Sequence, residues 1–361
     1  MKIDIHCHVA GNSRDINNVD NDVYFLAEDN QHWFTRILYN LLEKEMEKLE
    51  ADLNKDGMIS TDEYFNLIYN LLCQSNEIDG IVLLALDAVF SSKTGKLNKK
   101  ETDLWISNRF LFKKVKELNY RLQSEENPDL REKRFFFGAS VSPNRKDWKD
   151  ELSFVINETD AVLIKLIPSA QQINLMKNEH AEFYKTLALN NMPLLCHVGP
   201  EYSFPEGIRN MHLDHFENLR KALDYGVTVI AAHCASPVFP VIDRNFIQDF
   251  FQMMKDYNRG NNIRLWADTS ALSLSSRIPY IKEIRKTFPA KWLVHGTDFP
   301  IPIDGWTHLP YITDNITPSE YIDIVRTKNP FDRDIKIKRC HGFSDSILEN
   351  AAKVLRINNV K

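Results

Sequence analysis

No run of apolar residues in this chain approaches the roughly 18 that a helix needs to cross a bilayer. Nor is there an excess of positive charge: 45 Lys and Arg stand against 50 Asp and Glu over 361 residues, a formal net charge of −5. A polyanion partner calls for a dense basic face. The expectations are therefore no membrane span, no nucleic-acid partner and a small-molecule substrate. Cysteine is scarce as well. Cys7, Cys73, Cys196, Cys234 and Cys340 are odd in number and show no CxxC spacing, which excludes a disulfide framework and predicts reduced thiols. Internal repeats, coiled-coil heptads and low-complexity tracts are missing too. An apolar strand pattern begins within three residues of Met1, which leaves no room for a leader in this numbering, so a cytoplasmic location is expected.

What is present starts at that strand, Ile3-Asp4-Ile5-His6-Cys7-His8-Val9. Side chains alternate across a strand, so His6 and His8 are predicted on one face and Ile5, Cys7 and Val9 on the other. Two imidazoles on one face can grip one metal ion. Further apolar runs follow at Gly80 to Leu86, Arg134 to Val141, Asp160 to Ile167, Met192 to Val198, Val227 to Ala232, Ile263 to Asp268 and Trp292 to His295. Helical patterns separate them, for example Phe110 to Leu122. Eight near-continuous apolar strands alternating with helices predict a parallel sheet closed into a (β/α)8 TIM barrel spanning 1–361. Trp306 to Arg339 reads as an excursion over the barrel, and Ser346 to Leu355 as a last helix.

Between the first two strands, residues 31–76 carry two amphipathic stretches around Asp52-Leu53-Asn54-Lys55-Asp56-Gly57-Met58-Ile59-Ser60-Thr61-Asp62-Glu63. This helix-loop-helix resembles an EF-hand. The resemblance places Ca2+ ligands at Asp52, Asn54 and Asp56, at the Met58 carbonyl and at the bidentate Glu63, with Ser60 at the ninth position and Gly57 at the turn. No second such loop is found in the sequence.

Active sites of such barrels lie at the carboxyl ends of the strands. Six metal-competent or polar residues fall there: His6 and His8, Lys165, His197, His233 and Asp298. Parity sends Cys196 and Cys234 away from the barrel axis if their histidine neighbours face it. His295 takes the opposite parity to Asp298 and is read as structural. Arg145 and Arg277 follow the third and seventh strands and are candidates to hold an anionic substrate, because a guanidinium fork matches a carboxylate. Glu201, Asp268 and Asp87 also lie near strand ends, without a distinct assignment.

The order His6-x-His8, Lys165, His197, His233, Asp298 resembles the amidohydrolase superfamily. The segments Ile164-Lys165-Leu166-Ile167-Pro168, Cys196-His197-Val198-Gly199, Ala232-His233-Cys234-Ala235 and His295-Gly296-Thr297-Asp298-Phe299-Pro300 are most similar to its amidohydrolase-2 branch, which includes aminocarboxymuconate semialdehyde decarboxylases and lactone hydrolases. The resemblance implies one or two divalent ions, Zn2+ by the nature of the donors, held by His6, His8, His197 and Asp298, with His233 as a further ligand or as the base. Lys165 is then either a carbamylated bridge between two ions or a contact for a substrate carboxylate. Asp298 or His233 takes the proton of an activated water.

The expected activity is metal-dependent hydrolysis of a small carboxylated amide or lactone. Non-oxidative decarboxylation on the same barrel is the alternative, and a catalytically inactive, calcium-responsive binding module is the alternative from another class. The sequence leaves homo-oligomerisation open.

Overall fold

Strands that are apolar on both faces are stable only where both faces are covered, and a barrel ringed by helices covers both. The computed structural model describes residues 1–9, 23–25, 44, 46–49, 59–303 and 317–357. In it β1 (Ile3–His8), β2 (Gly80–Leu84), β3 (Arg134–Ala139), β4 (Leu163–Leu166), β5 (Leu194–Cys196), β6 (Val229–Ala231), β7 (Leu265–Asp268) and β8 (Leu293–Val294) lie side by side in chain order. Every neighbouring pair is parallel. The segment after β8 returns to β1: Ile5 N donates to His295 O at 3.1 Å, His8 N to Phe299 O at 2.8 Å and Asp298 N to His6 O at 2.8 Å. Those bonds bring the barrel nearly to closure.

Alternation along the strands divides the core in two. Ile3, Ile5, Val82, Leu84, Phe136, Leu163, Leu195, Ile230, Trp266 and Val294 fill the barrel, capped from its amino end by Ala351, Val354 and Leu355. Cys7, Leu83, Phe135, Phe137, Ile164, Cys196 and Leu265 face the surrounding helices. β1 departs from simple alternation. A bulge between Asp4 and Cys7 puts three residues opposite two of β2, so Ile5 joins the interior with Ile3 while Cys7 and Val9 join the outer core. The predicted common face of Ile5, Cys7 and Val9 is thereby corrected, because a bulge reverses parity downstream of it. His6 and His8 keep their shared face.

The observed strands are shorter than the apolar runs, which leaves His197 and His233 just beyond strand ends rather than within them. Residues 232–235 form a tight turn in which His233, Cys234 and Ala235 all have φ between 52° and 58°. Three consecutive left-handed non-glycine residues are strained. Cys234 nevertheless sits in the outer core with Cys196, as parity required.

Of the 31–76 segment, the helix Thr61–Gln74 is described, with Ser60 as its N-cap in a capping box. Its stripe of Tyr64, Phe65, Ile68, Leu71 and Leu72 is buried in the outer core, and Tyr64 Oη donates to His8 O at 2.9 Å. Asp52, Asn54, Asp56 and Met58 lie outside the described residues. Glu63 is the N3 residue of the box, where its Oε2 accepts from Ser60 N at 2.9 Å and from Ser60 Oγ at 2.8 Å. Beyond residue 316 the excursion contains two helices, Pro318–Arg326 and Pro330–Cys340, and the last predicted helix is two short ones, Ser346–Glu349 and Ala351–Val354. No helix among the described residues is long and apolar enough to cross a membrane.

Candidate metal centre

His6 is fully buried at the end of β1. Its Nδ1 is 2.8 Å from Asp268 Oδ2. A carboxylate held ionised accepts only, so Nδ1 carries the proton and the Nε2 lone pair faces the barrel mouth. That Nε2 lies 3.1 Å from His8 Nε2 and 3.3 Å from Asp298 Oδ1, and the His8 nitrogen is 3.3 Å from the same oxygen. Three potential ligand atoms spaced this way match the edges of a coordination shell whose metal bonds are about 2.0–2.2 Å, the range for nitrogen and carboxylate ligands of Zn2+. Such atoms repel one another unless a proton or a metal cation lies between them. The side chains of His8 and Asp298 are 19% and 11% exposed, so the group opens toward solvent on that side.

Around this triangle the charges are arranged to keep the ligands in ligating form. Burial pushes the Asp298 carboxyl up, but His6, His8 and Lys165 together outweigh it and hold the group below the usual carboxylate range. Asp268 follows the same pattern, with burial opposed by His6, His233 and Ser270. Burial lowers His8 to about 4, and burial followed by nearby Lys165 or Arg277 drives His197 and His233 well below the ordinary histidine value. All three imidazoles are thus neutral near pH 7. Lys165, with its Nζ 2.9 Å from His6 Nε2, is fully buried, and that burial lowers its pKa.

His197 and His233 form a second pair. Ser270 O, which only accepts, is 3.1 Å from His233 Nδ1, so Nδ1 carries the proton. His233 Nε2 then accepts from His197 Nδ1 at 3.1 Å, and His197 Nε2 is left buried with no hydrogen-bond partner among the described residues. The His6 and His233 rings stack at 5.3 Å, and His233 Nδ1 is 3.9 Å from Asp298 Oδ2. The structure therefore gathers all six predicted residues at one rim. The converging triad is His6, His8 and Asp298, with His197 and His233 beside it.

The two arginines separate. Arg145 donates to Asp87 at 3.1 Å and to Asp147 at 2.9 and 3.0 Å, and lies 3.8 Å from Glu151. Its fork is filled by carboxylates of this chain. Arg277 is 3% exposed, and its Nε and Nη1 are buried with no hydrogen-bond partner among the described residues. Burial lowers its pKa, an effect opposed by Asp298, Glu201 and Asp268 across the site.

Asp268 is the residue that reading from sequence underrated. One oxygen orients His6; the other accepts from His233 N at 2.9 Å and Ser270 N at 3.0 Å, so a single carboxylate ties β7 to both histidine pairs. A further His6, His233 and Asp268 grouping has metal-ligand spacing, yet both Asp268 oxygens are engaged as acceptors, which makes it an orienting partner. Asp4 was missed altogether. Its Oδ1 accepts from His6 N at 2.9 Å and Thr297 N at 3.0 Å, and its Oδ2 from Thr297 Oγ1 at 2.5 Å, which joins the two ligand-bearing segments. The available signal was an acid inside an otherwise apolar strand.

Among solved structures the chain is similar to an uncharacterised TIM-barrel protein, Bb4693, from Bordetella bronchiseptica, at 13% identity and TM-score 0.51, covering 93% of this chain and 99% of that one. It also aligns with 4-oxalomesaconate hydratase from Rhodopseudomonas palustris, at 15% identity and TM-score 0.45, over 98% of this chain and 99% of that one. A third is 2,6-dihydroxybenzoate decarboxylase from Rhizobium, at 12% and 0.43, over 92% and 98%. No curated protein matches the chain. The Amidohydro_2 family model, described as amidohydrolase, matches residues 119–330, more than half of the sequence and most of the barrel, and the chain accordingly belongs to that family as a metal-dependent enzyme of the amidohydrolase superfamily.

Proposed function

We propose that the protein hydrolyses a small carboxylated amide or lactone at the β1–β8 rim, with a divalent ion held by His6, His8 and Asp298 and assisted by His197. The observation that carries this reading is the triangle of nitrogen and carboxylate oxygen atoms 3.1–3.3 Å apart, with Asp268 fixing the tautomer of His6. Zn2+ suits these donors; when bound it supplies Lewis-acid polarisation of the scissile carbonyl and acidifies water.

The chain supplies the rest. Asp298, held ionised, is the proton acceptor at its Oδ2, and the protonated Nδ1 of His233, 3.9 Å from that oxygen, is positioned to donate toward it. The unpartnered Nε and Nη1 of Arg277 favour a carboxylate on the substrate, since a buried guanidinium without acceptors carries an unmet desolvation cost. Lys165 faces the His6 nitrogen at 2.9 Å, which supports a role for it beside the metal ligands. Its buried amine favours the neutral form, the one that adds CO2 to give a carbamate. Metal content together with intact mass separates one ion and a free lysine from two ions and a carbamate.

The test is to offer the zinc-loaded protein a panel of small carboxylated amides, lactones and aromatic acids. The expected product gains one water and releases no CO2; release of CO2 without water uptake would replace the hydrolase with the decarboxylase. On whichever substrate is found, Arg277→Met is expected to lower kcat/KM about tenfold to a hundredfold, mostly through KM, the scale of a charged hydrogen bond. An unchanged KM would remove Arg277 from substrate binding.

We also propose Ca2+ binding by Asp52, Asn54, Asp56, the Met58 carbonyl and Glu63. Calcium at millimolar concentration is expected to raise the melting temperature, since a ligand of the folded state alone stabilises it, and Glu63→Gln is expected to abolish the increment. Because Glu63 also closes a capping box with Ser60, the readout is the calcium-dependent increment and not the melting temperature itself. Equal increments in both proteins would reject the site.

A further inference from the structure

The turn Gly296-Thr297-Asp298 reaches the metal group under two constraints. On the β1 side the approach is so close that a Cβ at Gly296 would lie 2.7 Å from His6 Cβ, so the turn has no room to move toward His6. On the other side is a buried cluster from the helix Pro330–Cys340. Lys338 Nζ donates to Gly296 O at 2.7 Å and pairs with Asp334 Oδ2 at 2.5 Å. Ser273 Oγ donates to Asp334 Oδ1 at 2.5 Å. The His295 ring packs here too, its Nδ1 3.9 Å from Asp334 Oδ2.

Lys338 is 2% exposed and Asp334 0%. A buried ion pair is rarely more stabilising than apolar residues of the same volume, so stability alone is a weak reason for this one. What an apolar pair cannot supply is a donor fixed beneath a backbone carbonyl, two residues before Asp298. We propose that Asp334 and Lys338 are positioning residues for the metal group: Asp334 aims Lys338, and Lys338 holds Gly296 O so that Asp298 Oδ1 meets the His6 and His8 nitrogens. This rests on the reading of His6, His8 and Asp298 as ligands.

The experiment measures the Zn2+ dissociation constant of purified apoprotein by competition with a chromophoric chelator, alongside thermal unfolding. The variants are Lys338→Met, which strands a buried carboxylate, and the combined Asp334→Leu and Lys338→Met, which removes both charges. The combined variant is expected to unfold near the wild-type temperature and to bind Zn2+ about tenfold to a hundredfold more weakly, the range for partners that orient ligands. Placed on Asp298→Ala, it is expected to add no further loss, since it acts through Asp298. A folded combined variant with wild-type affinity, or a loss that adds in full to that of Asp298→Ala, overturns the proposal. Should the combined variant fail to fold, Ser273→Ala loosens Asp334 without removing a charge; a severalfold weaker affinity supports the proposal and an unchanged one overturns it. Wild-type protein that binds no Zn2+ would reject the ligand reading itself, whereas wild-type binding with unaffected variants rejects only the positioning role.

Discussion

Asp298→Asn is expected to retain the fold and much of the metal while turnover falls by two or more orders of magnitude, about the contribution of a positioned acid–base group. The carboxylate has two jobs: Oδ1 stands 3.3 Å from both His6 Nε2 and His8 Nε2, and Oδ2 faces His233. An amide keeps one ligating oxygen but puts a donor where a proton must be accepted. The backbone is indifferent to the exchange. Asp298 N donates to His6 O, and its φ of 70° lies in the left-handed region that asparagine tolerates as readily as aspartate. The measurement is kcat at saturating zinc with metal content determined on the same sample. Near wild-type turnover would reduce Asp298 to a plain ligand and move proton transfer to His233.

His6→Ala is expected to act one step earlier and remove the metal. The imidazole supplies the Nε2 that makes two of the three short distances in the triangle, and its Nδ1–H is the partner of Asp268 Oδ2. Deleting it loses a ligand and strands a buried carboxylate that also holds His233 N and Ser270 N. Loss of an outer partner of a ligand already costs about tenfold to a hundredfold in affinity, so loss of this ligand should exceed that and abolish activity at ordinary zinc concentrations. The check is the zinc dissociation constant together with activity over a zinc titration. Full activity restored by modest excess zinc would show that His8, Asp298 and His197 suffice, and the assignment of His6 as the central ligand would fall.

The barrel was legible because burial on both faces leaves a coarse mark. Runs such as Gly80 to Leu86 and Val227 to Ala232 have few polar residues at any parity, and parallel strands under helices are what such runs form. The rim residues were legible because strand ends are where apolar runs stop, and His6, His8, Lys165, His197, His233 and Asp298 stand at those stops. Arg145 and Arg277 looked alike from sequence, since a nearby acid such as Asp147 does not by itself tell whether a guanidinium will meet carboxylates of its own chain. Asp147, two residues on, and Asp87, 58 positions away, fill the fork of Arg145, and nothing among the described residues fills Nε and Nη1 of Arg277.

The sequence by itself therefore determined the fold class, the rim and the chemical types gathered there, because apolar periodicity and residue identity are local properties. Tertiary structure alone decided which of those groups touch. The β1 bulge turns Ile5 inward yet keeps His6 and His8 together; Asp4 links β1 to the turn after β8 across 293 positions in sequence; and Lys338 reaches Gly296 from a segment that carried no functional pattern. A hydrogen bond between remote residues leaves no periodicity in either segment, so only the nearly closed barrel, which brings β1, β7 and β8 to one rim, shows how the site is held.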